Sequence, residues 1–165
     1  MASEFSDVPD LAQATRIVVR LTLAALLGGL LGLERENKGK AAGVRTHMLV
    51  AMGAALFVLI PQQAGIQPAD LSRVIQGVVA GIGFLCAGSI LKSEDEDRVR
   101  GLTTAAGMWL TAAIGMAAGL GREATAVIST ALALAVLTLV PLVPLVVKLI
   151  EKPEPRTILP VDTEK

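Results

Sequence analysis

Aromatic residues are nearly missing from this chain: Phe5, Phe57, Phe84 and Trp109 are the only four, and tyrosine is absent. Four scattered rings cannot form the stacking platform on which single-stranded nucleic acid is held. An excess of positive charge is missing too, because 15 Lys and Arg balance 15 Asp and Glu, so the electrostatic footprint of a duplex binder is absent. Nucleic acid is excluded as a partner. Cys86 is the single cysteine, which rules out an internal disulfide and a thiolate metal cluster; in an apolar run its thiol is expected to stay protonated and to serve packing. No Ser/His pair, Asp/Asp pair or metal-ligand set falls within one layer of the sequence. The chain is therefore expected to be no enzyme, with no catalytic residue, no metal and no cofactor. The start, Met1-Ala-Ser-Glu-Phe-Ser-Asp-Val-Pro-Asp10, carries acids where a signal peptide has Lys and Arg, and no cleavage site closes a short apolar core. The whole chain is read as mature protein.

Apolar sequence is what the chain has in quantity. With 53% hydrophobic residues, 18% charged ones and a mean hydropathy of +0.63, it lies outside the range of soluble domains. A helix needs roughly 17–25 mostly apolar residues to cross the hydrocarbon core, and five runs qualify: 17–33, 44–60 (closed by Pro61), 74–91, 102–120 and 124–150. Pro141 and Pro144 remove backbone donors from the fifth and are expected to kink or break it near its end. The expected fold is all-α, a polytopic bundle of five transmembrane helices at 17–150. Residues 1–16 are read as a short external segment with the start of helix one, and 151–165 as a disordered cytoplasmic tail.

Positive charge orients the bundle, because short cytoplasmic loops are rich in Lys and Arg. Eleven such residues, among them Arg35, Lys38, Lys40, Arg45, Lys92 and Arg100, fall on one side, against Arg16, Arg20, Arg73 and Arg122 on the other. The N-terminus is thus expected outside and the C-terminus in the cytoplasm.

Three glycine pairs, Gly28 with Gly32, Gly77 with Gly81, and Gly115 with Gly119, each put two glycines on one helix face where another backbone can come close. Helices one, three and four are expected to pack tightly. The third, with Gly77, Ala80, Gly81, Ala87 and Gly88, has the densest small-residue face and is expected at the centre, while Ala133 is expected to face lipid. Packing within the chain is the preferred reading of such faces, and an interface with a second copy or a partner is the alternative, since the spacing alone is common. Gln76, Thr103, Thr104 and Thr111 are expected to hydrogen-bond between helices or, in an oligomer, to line a pore. A weak parallel internal repeat relates helices one and two to three and four: Arg20 and Gly28 recur as Arg73 and Gly81, and Gly43-Val-Arg-Thr46 as Gly101-Leu-Thr-Thr104. Chance similarity between helices rich in Gly and Ala is the competing explanation.

A charge at mid-bilayer costs roughly 2.5–3.5 kcal/mol on insertion scales, and no Asp or Glu lies inside any of the five runs. Charge gathers instead at one edge: Glu34 and Arg35 close helix one, Arg45 and His47 open helix two, and Arg100 enters helix four. Helices one and two are joined by about ten residues and run antiparallel, so Glu34 is expected to approach Arg45, with Arg100 nearby. Ordinary interfacial anchors that snorkel are the other reading, and His47 is read as an interfacial side chain rather than a ligand. Glu94-Asp-Glu-Asp97 offers carboxylates to a hard cation, but four adjacent acids repel one another, and a solvated loop is the preferred reading.

Taken in order, Gly32-Leu-Glu-Arg35, Gly43-Val-Arg-Thr46, Leu49-Val-Ala-Met-Gly53, Gly77-Val-Val-Ala-Gly-Ile-Gly-Phe-Leu-Cys-Ala-Gly88 and Arg100-Gly-Leu-Thr-Thr-Ala-Ala106 with Trp109 resemble the membrane domain of the MgtC/SapB family of bacterial inner-membrane proteins. The resemblance covers about residues 20–120. It implies five transmembrane helices and, for the members named MgtC, a part in adaptation to low magnesium and acid and in survival inside host cells. It also implies action on other membrane proteins, the proton-driven ATP synthase among them, rather than carriage of magnesium. Many members carry a soluble domain after the fifth helix, whereas about fifteen residues follow it here. The expected function is a non-enzymatic modulator of another membrane protein, in contact with the lipid bilayer and able to self-associate. The rival is a small ion transporter or a homo-oligomeric channel.

Overall fold

The computed structural model describes residues 10–92 and 99–142. Five helices carry almost all of them: α1 (Leu11–Asn37), α2 (Val44–Gln63), α3 (Pro68–Gly88), α4 (Leu102–Gly119) and α5 (Glu123–Leu139), the last followed by one 3-10 turn, Val140–Leu142. Between α3 and α4 two-residue strands, β1 (Leu91–Lys92) and β2 (Val99–Arg100), pair antiparallel, Leu91 with Arg100 and Lys92 with Val99. The fold is an all-α membrane bundle. By length and hydropathy α1 to α4 can each cross a bilayer, while α5 has 17 residues. The expected fifth run reached Ile150; its part beyond residue 142 lies outside the described residues, as do the acidic run Glu94–Asp97, the N-terminal segment up to residue 9 and the expected tail.

Helix ends depart from the apolar runs where local chemistry overrides hydropathy. α1 begins six residues before Ile17 because Asp10 caps it, its carboxylate accepting from the Gln13 N–H and so satisfying an orphan donor of the first turn. Pro68 starts α3 before its apolar stretch, since proline at the first helical position has φ preset and no N–H to lose. Pro61 was expected to close α2, but the helix runs on to Gln63, and its final carbonyls are taken up by Ala64 N–H to Ile60 O and Ile66 N–H to Pro61 O, each at 3.1 Å. Gly101, which caps α4 with φ +94°, could hold no other residue: a Cβ there would run into the Ser89 carbonyl oxygen.

The centre of the bundle is α2, with α1 against one flank and α4 against another. A Cβ at Gly28 would stand 2.6 Å from His47 O, and one at Gly32 2.6 Å from Val44 Cα. On the other flank Gly115 lies against Ala51 O and Gly119 against Ala55 O, closer still. Backbones approach this tightly only where Cβ atoms are missing or small, and α2 answers with buried Ala51, Ala55 and Val58. α5 packs on α1 and α4 through Ala126 and Ala133. Ala133 is therefore in the core, correcting the expectation that it faces lipid.

A second correction concerns α3. It meets α4 and, more loosely, α2, and Ile82 and Cys86 are its only buried residues. Gly77 and Gly81 have nothing within 4 Å of where a Cβ would stand, so α3 lies at the margin of the bundle. Segments paired by the internal repeat have unlike surroundings: Gly28 is wedged against α2 where Gly81 faces open space. The bundle's outer surface is apolar, with Phe57 62% and Leu132 64% exposed, as a lipid-facing surface requires.

Candidate functional site

Where α1 hands over to α2, the sequence places charge and the fold sorts it. The Arg35 side chain is buried, 4% of the residue exposed, and its Nε donates to Glu34 Oε2; Lys38 Nζ stands 3.9 Å from the other Glu34 oxygen. A buried guanidinium is tolerable only with such a partner. Gly43, which precedes α2, has no side chain to cap it, and Glu36 of α1 does so from across the turn, its Oε2 accepting from the Val44 N–H at 2.8 Å. The expected Glu34–Arg45 pair does not form. Val44 and His47 are the α2 residues held against Gly32, and Arg45, one residue round the helix from Val44, is turned outward, exposed and without an ion pair among the described residues. Arg100 sits on β2, also exposed. Of the four residues expected to form a charged layer, Glu34 and Arg35 come together and Arg45 and Arg100 lie on the surface.

At the opposite end the organiser is Arg20, which the sequence offers only as one of the four positive residues on the expected outer side and as the counterpart of Arg73 in the repeat. Its Nη1 donates to Gln62 Oε1 of α2 at 3.0 Å and to the Gly119 carbonyl of α4 at 3.1 Å, and its Nε lies 3.9 Å from Glu123 Oε1 of α5. One guanidinium thus ties four helices, closing an orphan carbonyl at the α4 C-terminus. Gly121 leaves room for it, since a Cβ there would strike the guanidinium. Its counterpart in the repeat, Arg73, only reaches Asp70 one turn away, at 3.6 Å on the surface.

The intramembrane polar residues do not share a surface. Thr104 and Thr111 are buried, and Thr111 Oγ1 donates to Gly107 O of its own helix rather than to a neighbour, as a mid-helix threonine commonly does. Gln76 is exposed on α3 and Thr103 on α4. The contact that bridges helices here is Cys86 Sγ of α3 donating to Ala105 O of α4, 3.2 Å. No group of three or more His, Cys, Asp or Glu is placed to hold a metal among the described residues.

Two apolar hollows stand out among the described residues. Between α2 and α3 runs an apolar groove of about 590 Å³ with Leu49, Gly53 and Phe57 on one wall and Gly77, Gly81 and Leu85 on the other. A cavity of about 410 Å³, open to the outer surface past exposed Thr103, Leu132 and Val136, lies among α1, α2, α4 and α5 beside His47.

Comparison with known proteins follows the same ground. The sequence model of the MgtC family matches residues 21–144, which takes in α2 to α5 and α1 from Leu21 onward. Among similar proteins, SrpB of Synechococcus elongatus is 48% identical over 122 residues, covering 67% of either chain. YhiD of Escherichia coli strain K12, named as a candidate magnesium transporter, is 41% identical over 130 residues, 73% of this chain and 58% of its own. The protein MgtC of Salmonella typhimurium is 42% identical over 113 residues, 68% of this chain and 47% of its own. The match thus spans between about half and two thirds of these relatives' lengths. No solved structure matches.

Proposed function

The chain belongs to the MgtC family, and from that premise we propose that it works without catalysis, by seating a helix of another membrane protein against α3 and altering that protein's activity. The observation that carries this reading is the groove between α2 and α3, where Gly53, Gly77 and Gly81 all face open space. In lipid no hydrophobic force drives helices together, and small residues that permit close backbone contact take its place. A face of this kind left unused by its own bundle suits a transmembrane helix from elsewhere. The partner is an ion-moving membrane protein, such as the proton-driven ATP synthase or an ion transporter, and the setting is magnesium limitation or acid stress. The protein resides in the bacterial inner membrane, with the N-terminus outside and the C-terminus in the cytoplasm, the side that collects eleven of the fifteen Lys and Arg residues.

The second reading, a small ion transporter or a homo-oligomeric channel, is favoured by the name that YhiD carries. Against it stand the separation of Gln76 and Thr103, exposed on different helices, from Thr104 and Thr111, buried in the bundle, and the lack of any carboxylate within the apolar runs, where ion-coupled carriers place one. Flux separates the two. Liposomes holding the purified protein alone should pass neither magnesium nor protons down an imposed gradient, and gradient-driven flux would overturn the modulator reading. With ATP synthase in the same liposomes, ATP-driven proton pumping should change when the protein is present and revert when Gly81→Leu replaces it.

A further inference from the structure

His47 is the one histidine of the chain. It is fully buried, and its Nε2 has no hydrogen-bond partner. The other ring nitrogen, Nδ1, lies 3.0 Å from the Gly43 carbonyl. A carbonyl only accepts, so Nδ1 carries the hydrogen, and in the uncharged ring Nε2 is left with its lone pair. A buried acceptor without a donor is costly, and native structures rarely keep one.

The surroundings of Nε2 show where a donor could come from. Gly107 of α4 stands opposite, and a Cβ there would come within 3.7 Å of Nε2 and meet nothing else within 4 Å. This space belongs to the cavity of about 410 Å³, whose walls include Leu31 of α1, Thr103 and Gly107 of α4, and Ser129 and Leu137 of α5. Its size falls in the range of small-molecule sites. Water is a poor occupant, since an ordered water needs two to four polar partners and the lining is almost wholly apolar. The short α4–α5 connection makes the two helices antiparallel, so Thr103 and Leu137 mark one end of the cavity and Leu110 and Ser129 the other. At 1.5 Å per residue the distance from Thr103 to Leu110 is about 10 Å, an elongated slot with a single buried acceptor along it.

We propose that this cavity binds one alkyl chain bearing a hydroxyl group, the chain lying between α4 and α5 and the hydroxyl donating to His47 Nε2. An ether or alkane of equal length would fill the same walls but leave the lone pair unpaired, and a site built around a hydrogen bond discriminates against ligands that cannot make it. The site is separate from the α2–α3 groove and does not depend on the proposed partner.

Having one histidine makes the test direct. With ¹⁵N-histidine in nanodiscs of phosphatidylcholine, whose headgroup has no hydroxyl, the spectrum holds one pair of ring nitrogens. Titration with 1-dodecanol should shift Nε2 saturably, with apparent affinity at least about tenfold above that of 1-methoxydodecane, and dodecane should leave it unmoved. Gly107→Leu, which fills the slot from a position with room for a Cβ, should abolish the saturable shift while leaving the Nδ1 signal in place. An Nε2 signal indifferent to dodecanol, or equally responsive to alcohol and ether, would overturn the proposal, as would a response surviving in folded Gly107→Leu. Should that variant fail to fold, the comparison of alcohol with ether on the unaltered protein decides alone.

Discussion

Gly115 with Gly119 on α4 and Gly77 with Gly81 on α3 are the same pattern four residues apart, on helices that both touch α2. One pair is pressed onto the α2 backbone at Ala51 and Ala55; the other has nothing within 4 Å. The difference lies in what α2 turns toward each. Toward α4 it presents alanines, so two backbones can meet. Toward α3 it presents Leu49 and Phe57 as well as Gly53, and these large side chains stand in the groove where close approach would have to occur. A small-residue face states how near a neighbour can come, and the neighbour's own side chains decide whether it does.

The contrast can be attacked from its strongest point downward. Gly115→Leu must displace the α2 backbone at Ala51, and a clash that no rotamer relieves should cost about 3 kcal/mol or more, above the usual range for overpacking; thermal unfolding in detergent would read it. Gly28→Ala meets His47 O and Ala51 Cβ and should cost about 1–3 kcal/mol in the same assay. Arg20→Met removes the donors to Gln62 and Gly119 and should cost about 1–2 kcal/mol, with losses less than additive when combined with Gln62→Leu. Glu36→Gln weakens the borrowed cap of α2 by about 0.3–1 kcal/mol, a loss that added salt should shrink. Gly81→Leu should change stability by less than about 0.5 kcal/mol. Were it to cost as much as Gly115→Leu, the two pairs would be doing the same job and α3 would belong to the core.

Much of the fold is legible in the sequence because hydropathy and length suffice to place helices that must satisfy every backbone group internally. The five helices stand where the apolar runs are, and the ends that moved did so for reasons also written locally, Asp10 as a cap and Pro68 at a first turn. Partnership between helices is less legible. Gly28, Gly32, Gly115 and Gly119 were recognisable as close-packing residues, yet nothing in their spacing names α2 as the helix they share. Glu34 and Arg45 are near in sequence and opposite in charge, but their pairing depends on which face of α2 meets α1, and that is set by Gly32 against Val44 and His47. Glu36 carries a readable signal: Gly43 offers α2 no cap, and a carboxylate stands eight residues before Val44. Arg20 had none, because its partners Gln62, Gly119 and Glu123 come from three other helices.

The division of labour between the glycine pairs is tested most directly on the unaltered protein, by the relaxation of ¹³C-glycine signals in a bilayer carrying a lipid with a nitroxide on its acyl chain. Gly77 and Gly81 should broaden strongly, while Gly28, Gly32, Gly115 and Gly119 should be spared. Equal broadening of all six, or protection of Gly77 and Gly81 in the isolated monomer, would contradict an α3 face open to a partner.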